Sequence, residues 1–420
     1  MKIPTRLRKR RFGVLSALVA ALLAAALLAT GCGSKGDRDP AVANGALVFG
    51  ASLSLTGSLA REGTLTMEGY DVCRNVVNQK GGVSVGGQKL TLDIRYQDDT
   101  SEPDTAAQLV DQYNDQGVKL ILGPYGSANT GSAAAVVERN GQVMTDSSGA
   151  DDAIFTKGYT RTFAVLSPAT TYAASIVQAL VDLAAPKPTT VAFLSADDGF
   201  SKTVTKGGLE KAKQLGLTVV DTEYVPNGTS DVSGALTKIK AKKPDVIIGS
   251  AHLVEGIALI KQSKELGIRP AGGFAETVAP PTPDFTETLG SAAEGVLGST
   301  QWTARTKGSD KWFGAASDYA ATFTRQFDGR APEYHGAQAT AGCLAMVRAV
   351  EKAGSTDPDK VRDALAGLDE SSFFGPLKFN AVGQNVSKPM SVIQIQNGLP
   401  VTVWPKESRE AALVWPGART

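Results

Sequence analysis

From residue 46 onward, apolar and polar positions along the chain switch repeatedly between two periods. Residues 47–51 are an apolar, β-rich run of strand length, closed by Leu55-Thr56-Gly57. Over 65–78 the apolar positions Met67, Tyr70, Val76 and Val77 fall at helical spacing, and Gly81-Gly82 stops the pattern. The same reading predicts a strand over 90–96, a helix over 105–116, a strand over 118–122, a helix over 130–140 and a strand over 142–145. A second cycle follows. It has helices over 172–183, 204–215, 232–240 and 255–266, and strands over 190–194, 218–224 and 246–249. Short apolar strands separated by helices of this length require parallel sheets with right-handed crossovers. Two such cycles predict an α/β protein of two doubly wound lobes. No period of 20–50 residues recurs, which excludes a solenoid.

The first 45 residues obey a different pattern. Six basic residues (Lys2, Arg6, Arg8, Lys9, Arg10, Arg11) come first, and an uncharged Ala/Leu-rich run fills 12–30. This is the order of a secretory signal. The stretch Leu28-Ala29-Thr30-Gly31-Cys32, followed by polar residues, resembles the bacterial lipobox, whose cysteine is diacylated and becomes the new N-terminus. The usual Leu three places before Cys is here Ala29. An uncleaved membrane anchor of about 20 residues is the competing reading. The expectation is a signal over 1–31, a lipidated Cys32, and a tether to residue 45. The globular part then works outside the cytoplasm, attached to the membrane by its lipid.

Charge and composition narrow the function. Lys and Arg number 43 against 42 Asp and Glu, and without the six leading bases the balance is 37 to 42. A mildly acidic body lacks the basic face that nucleic acid requires. Two histidines, His252 and His335, are too few for a His-rich metal site. The remaining cysteines, Cys73 and Cys343, are expected to form a disulfide suited to an oxidising compartment, with two small buried apolar side chains as the alternative.

Catalytic signatures are missing from the sequence. There is no Gly-x-Ser-x-Gly elbow with a partnered histidine, no Walker loop, no His-Glu-x-x-His and no Cys-x-x-Cys. The glycine-rich 81–87 precedes a strand, so it reads as a surface turn and not a dinucleotide loop. Asp98-Asp99 reads as a solvated, capping turn ahead of acid–base work. Nothing calls for a cofactor or a metal, and the chain reads as a non-enzyme. In open α/β sheets ligands bind beyond the carboxyl ends of strands. There, Gly123-Pro124-Tyr125-Gly126-Ser127 opens a helix. Its unpaired N–H groups and the Ser127 hydroxyl suit an anion, and simple helix capping is the alternative.

Several segments in fixed order resemble one family. They include Ser54-Leu55-Thr56-Gly57, Asn78 to Val83, Tyr96-Gln97-Asp98-Asp99, Gly123 to Ser127, Asp284-Phe285, Ala293 to Val296, Ala353 to Asp357 and Phe374 to Phe379. The family is the branched-chain amino-acid-type periplasmic binding proteins, the solute receptors of ABC importers. The resemblance implies two α/β lobes joined by three crossovers, near 164–167, 299–302 and 388–391. One lobe is then 46–165 with 301–390, the other 166–300 with 391–405, and 406–420 is a tail that wraps one lobe. It also implies a ligand carboxylate on Ser127 beside Tyr125. The ligand ammonium would be shared by Gly149, Ala150 and Asp151 and, across the cleft, Glu276. The family's aromatic positions fall at Glu62 and His252. Tyr172 and Phe200 face the cleft or pack in the core. Trp302 is expected in hinge packing, and His335 in a structural role at a helix N-terminus.

Three functions are weighed on these grounds. The leading one is a lipid-anchored receptor that traps a small polar ligand (an amino acid or a related amide or carboxylate) and delivers it to ABC permease subunits. The alternative is a sensing receptor that presents the closed form to a signalling partner. A secreted hydrolase lacks any nucleophile with a base.

Overall fold

The computed structural model describes residues 42–43 and 45–416. The expected signal, Cys32 and most of the tether lie outside the described residues. Two seven-stranded sheets organise the rest.

The first sheet runs in the order Val83–Val85, Gln88–Asp98, Ala46–Leu53, Leu120–Leu122, Val143–Asp146, Thr162–Ala164. Every pairing from Gln88–Asp98 onward is parallel. Val42–Ala43 adds an antiparallel edge, so the sheet begins just ahead of residue 46. The central strand Ala46–Leu53 is buried almost throughout, as a strand covered on both faces must be. The 81–87 segment is the short edge strand Val83–Val85 between two glycine turns, not a dinucleotide loop. Gly81 and Gly82 end the helix Ala60–Gln79 with φ of 90° and 81°, and Gly86-Gly87 closes a hairpin with φ of 55° and 86°.

The second sheet runs Leu399–Trp404, Ser391–Gln396, Leu297–Thr300, Phe274–Glu276, Val246–Ser250, Thr190–Ala196, Thr218–Val225. Its last five strands are parallel, and the first two form an antiparallel hairpin at its edge. The helix expected over 204–215 starts earlier, at Gly199, because a polar cap sets its end. Asp198 caps Gly199–Gln214 by accepting from the Ser201 N–H, and Glu333 caps Tyr334–Ala353.

The three connecting segments meet. Gln301 takes the Ser167 N–H on its Oε1 (3.0 Å) and donates to the Ser167 carbonyl (3.1 Å). The Ser167 hydroxyl donates to the Lys388 carbonyl (2.9 Å), and the Lys388 ammonium to the Gln301 carbonyl. Burial pulls the Lys388 amine down to about 7, and the ammonium sits 4.2 Å over the Phe374 ring. Trp302 is buried, edge-on to Tyr319, and its indole N–H donates to the Phe373 carbonyl. Its part is packing.

Cys73, on the helix Ala60–Gln79, is bonded to Cys343, on Tyr334–Ala353, with 6.2 Å between Cα atoms. The tail lies on the second sheet. Gln394 exchanges hydrogen bonds with the Val414 backbone, and the Trp415 indole N–H donates to the Pro186 carbonyl (2.9 Å).

Candidate functional site

A cavity opens where the carboxyl ends of the two sheets approach each other. From the first lobe it is lined by Tyr125, Gly126, Ser127, Ser148, Tyr334, His335 and Gln338. Tyr172, Phe200, His252 and Val278 line it from the second. About 20 Å³ is enclosed, room for about one water, so a larger ligand enters only as the lobes part.

Each wall follows from local sequence. After Leu120–Leu122, Gly126 takes φ 85° and turns the chain directly into the helix Ser127–Asn140, which puts Ser127 at an open N-terminus. The Ser127 oxygen accepts the Asp151 N–H (3.1 Å). Asp146, at the end of its strand, accepts from the Ser148 and Gly149 N–H groups and folds that loop back. Burial raises its carboxyl to about 7 against those two bonds. A side chain at Gly149 would overlap Thr130. The Tyr70 hydroxyl joins both loops, donating to the Gly123 carbonyl (2.8 Å) and sharing a hydrogen bond with Ser147 (2.8 Å).

Two imidazole–carboxylate pairs face this space. In the first lobe His335 Nδ1 meets Glu333 at 2.6 Å, and Nε2 lies 3.5 Å from the Tyr125 hydroxyl. Burial would raise the Glu333 carboxyl, but His335 and two backbone N–H groups outweigh it and hold it low. In the second lobe His252 Nε2 lies 3.4 Å from Asp198. Burial would lower the His252 imidazole, but Asp198 bonding and charge lift it to about 9, with Glu255 and Glu62 adding. Asp198 thus favours the charged form of His252, whose Nδ1 has no hydrogen-bond partner among the described residues.

The expected residues divide into two groups. Tyr125, Ser127, Tyr172, Phe200 and His252 line the cavity. Gly149, Ala150, Asp151, Glu62 and Glu276 do not. Asp151 turns away, accepting from the Thr203 hydroxyl (2.7 Å) of the second lobe, so it ties the lobes together. Glu62 is buried at the start of its helix. Glu276 corrects the sequence reading most clearly. Its carboxyl is fully buried between Gly249 and Gly256, and neither oxygen has a hydrogen-bond partner among the described residues. The strand Phe274–Glu276 ends inside the lobe, which carries this side chain under the helix Leu253–Glu265 instead of across the cleft.

Tyr334, His335 and Gln338 are brought in by the helix Tyr334–Ala353, which sequence reading set at the cleft rim. The available signal was that both histidines of the chain sit where a loop enters a helix, one of them two residues after Glu333. Gln338 and Val278 carry no such signal. Asp98 and Asp99 are loop organisers, accepting between them from Ser54, Leu55, Thr56, Thr100 and Ser101.

At the cleft mouth Arg61 Nε donates to Asp284 Oδ2 across the lobes (2.7 Å), both side chains about one-third exposed. Such pairs contribute up to about 1 kcal/mol. Arg61→Ala is expected to weaken ligand binding by up to about fivefold in calorimetry, with unchanged Tm for the unliganded protein.

Two doubly wound lobes around a cleft lined from both sides define a two-lobed ligand-binding protein. The chain belongs to the periplasmic binding protein family, whose family model matches residues 47–399. It is similar to Leu/Ile/Val-binding protein homolog 8 of Brucella abortus, 24% identical over 386 residues, covering 87% of this chain and 92% of that one. The fold matches LivJ of Streptococcus pneumoniae in complex with isoleucine at TM-score 0.74 and 21% identity, over 84% of this chain and 97% of that one. It also matches a solute-binding protein of R. palustris in complex with benzoate at TM-score 0.70 and 17% identity, over 86% and 96%. The fold is thus that of type I periplasmic binding proteins, and the chain acts by binding a solute outside the cytoplasm, not by catalysis. Among the described residues no helix is long and apolar enough to cross a membrane.

Proposed function

We propose that this chain is the receptor of an ABC importer, trapping a small polar ligand between lobes 46–165 with 301–390 and 166–300 with 391–405, and presenting the closed form to the permease. The observation that carries this reading is the cavity itself, with Ser127 at a helix N-terminus on one wall and His252, paired with Asp198, on the other. A ligand can touch both walls only when the lobes are together, so binding shifts the opening equilibrium toward the form a permease would read. Relatives named for leucine, isoleucine and valine, and neighbours holding isoleucine or benzoate, support a reading in which amino acids and related carboxylates are the ligand class. A thermal-shift screen of amino acids, amides and aromatic acids tests this. Stabilisation by at least one is expected, and none by any would sink the receptor reading.

We also propose that Cys32 carries the lipid that holds the receptor at the membrane. Cys32→Ser is expected to move the protein from the membrane fraction to the soluble one or to block maturation. A mutant that fractionates like wild type with the same N-terminus would overturn the anchor.

A further inference from the structure

Six of the eleven residues lining the cleft cavity are rings, and Val278 is the one branched aliphatic among them. The rings form two groups of three, one on each lobe. On the first lobe Tyr334 stacks on His335 (centroids 4.0 Å, 29°), and Tyr125 tilts against the same imidazole (5.4 Å, 59°). On the second, Phe200 meets Tyr172 edge-on (5.4 Å, 87°) and tilts against His252 (5.4 Å, 36°). A wall carrying three rings on each lobe favours a planar unsaturated guest, because aromatic pairs attract beyond the area they bury. A branched aliphatic chain would leave that complementarity unused.

Polarity points the same way. Each ring group contains an imidazole that spends one nitrogen on a carboxylate, Glu333 or Asp198; the other nitrogen of His335 meets the Tyr125 hydroxyl (3.5 Å), and that of His252 is buried without a partner among the described residues. The Tyr172 oxygen accepts from Gln301 (2.9 Å), which leaves its own O–H to donate. Ser127 adds an open helix N-terminus, which favours negative charge. No carboxylate lines the cavity. Asp198 and Glu333 are committed to their imidazoles, Asp151 to Thr203 and Ala153, and Glu276 is inside the second lobe. Glu62, whose charge reaches Tyr125, Tyr334 and His252, is buried at its helix start and is not among the lining residues. An ammonium brought into this space would lose its water and find no anionic partner on the wall.

Resting on the receptor reading, we propose that the cleft selects a planar aromatic carboxylate without an α-amino group, its ring clamped between Tyr125, Tyr334 and His335 on one lobe and Tyr172, Phe200 and His252 on the other, its carboxylate on Ser127 and the Tyr172 hydroxyl.

Calorimetry of the purified protein with benzoate, 3-phenylpropionate, L-phenylalanine and L-leucine tests this. The second and third ligands share ring and carboxylate and differ in the ammonium. At least one of the two acids is expected to bind, 3-phenylpropionate at least tenfold tighter than L-phenylalanine, and L-leucine weaker than either acid. Phe200→Leu and His252→Gln, checked for an unchanged Tm, are each expected to weaken the better-bound acid tenfold or more. L-leucine binding with neither acid bound would overturn the aromatic assignment and leave the receptor reading standing. L-phenylalanine equal to or tighter than 3-phenylpropionate would show that the wall does accept an ammonium, and would overturn it too. Unchanged acid affinity in both variants would do the same. Failure of all four ligands overturns the aromatic assignment, and the wider thermal-shift screen then decides the receptor reading separately.

Discussion

Replacing both Cys73 and Cys343 by alanine is expected to lower the unfolding free energy by about 2–5 kcal/mol, seen as a drop of several degrees in Tm. The bond spans 270 residues of sequence, and a crosslink that closes so long a loop removes much freedom from the unfolded chain. The first lobe has particular use for it. Its sheet comes from the first part of the chain, while the helix Tyr334–Ala353 returns only after the five parallel strands of the second sheet. That helix packs on Ala60–Gln79 closely enough that a side chain at Gly69 would overlap the Gly336 carbonyl. The same helix delivers Tyr334, His335 and Gln338 to the cavity, so ligand affinity should fall along with stability. The alanine pair, with both sulfur positions fully buried, avoids leaving an unpaired polar atom behind. A double variant with the Tm of wild type, measured under non-reducing conditions, would show that the bond contributes nothing to stability.

The second large effect is at Glu276. Burial, and then the nearby Glu255, push its carboxyl well above the usual carboxylate range. Glu255 accepts the Gly228 N–H on one oxygen, and its other oxygen, like both of Glu276, has no partner among the described residues. A carboxyl whose folded pKa is raised gives its full stability below the unfolded pKa, near 4.3, and loses it as pH climbs toward the folded value. The loss runs at about 1.4 kcal/mol per pH unit. Glu276→Met, similar in length and apolar, is therefore expected to raise Tm at pH 7 relative to wild type, and the gain should shrink toward pH 4.5. Asp146, raised to about 7, moves wild type and variant alike in the same direction, so the difference between the two curves is the readout. A pH-independent difference would remove the buried-acid account. A thirtyfold loss of binding confined to amino-bearing ligands would show instead that the carboxyl reaches the ligand.

Much of the architecture was readable in the chain because its elements are set by nearby residues. The strand expected over 47–51 is Ala46–Leu53, and the helix expected over 172–183 is Thr171–Leu183. Apolar period, caps and glycine stops act within a few residues, so each survives whatever the rest of the fold does. Ser127 and Tyr125 were legible for the same reason, since a strand, Gly126 and a helix start fix their place locally. The edge hairpin Ser391–Gln396 with Leu399–Trp404 gave no such cycle, being antiparallel and sequentially remote from the strand it joins.

The sequence by itself determined the alternation of strands and helices, the two doubly wound cycles and the helix N-terminus at Ser127. Only the tertiary structure decided that Glu62, Asp151 and Glu276 stay off the cavity wall, and that the rings divide three and three between the lobes. Glu276 shows why. Whether its side chain crosses the cleft or lies under Gly249 and Gly256 depends on a neighbouring strand and helix that share no local sequence with it. Direction of a side chain at a strand end is a property of packing between elements, and packing between elements is settled by contacts far apart along the chain.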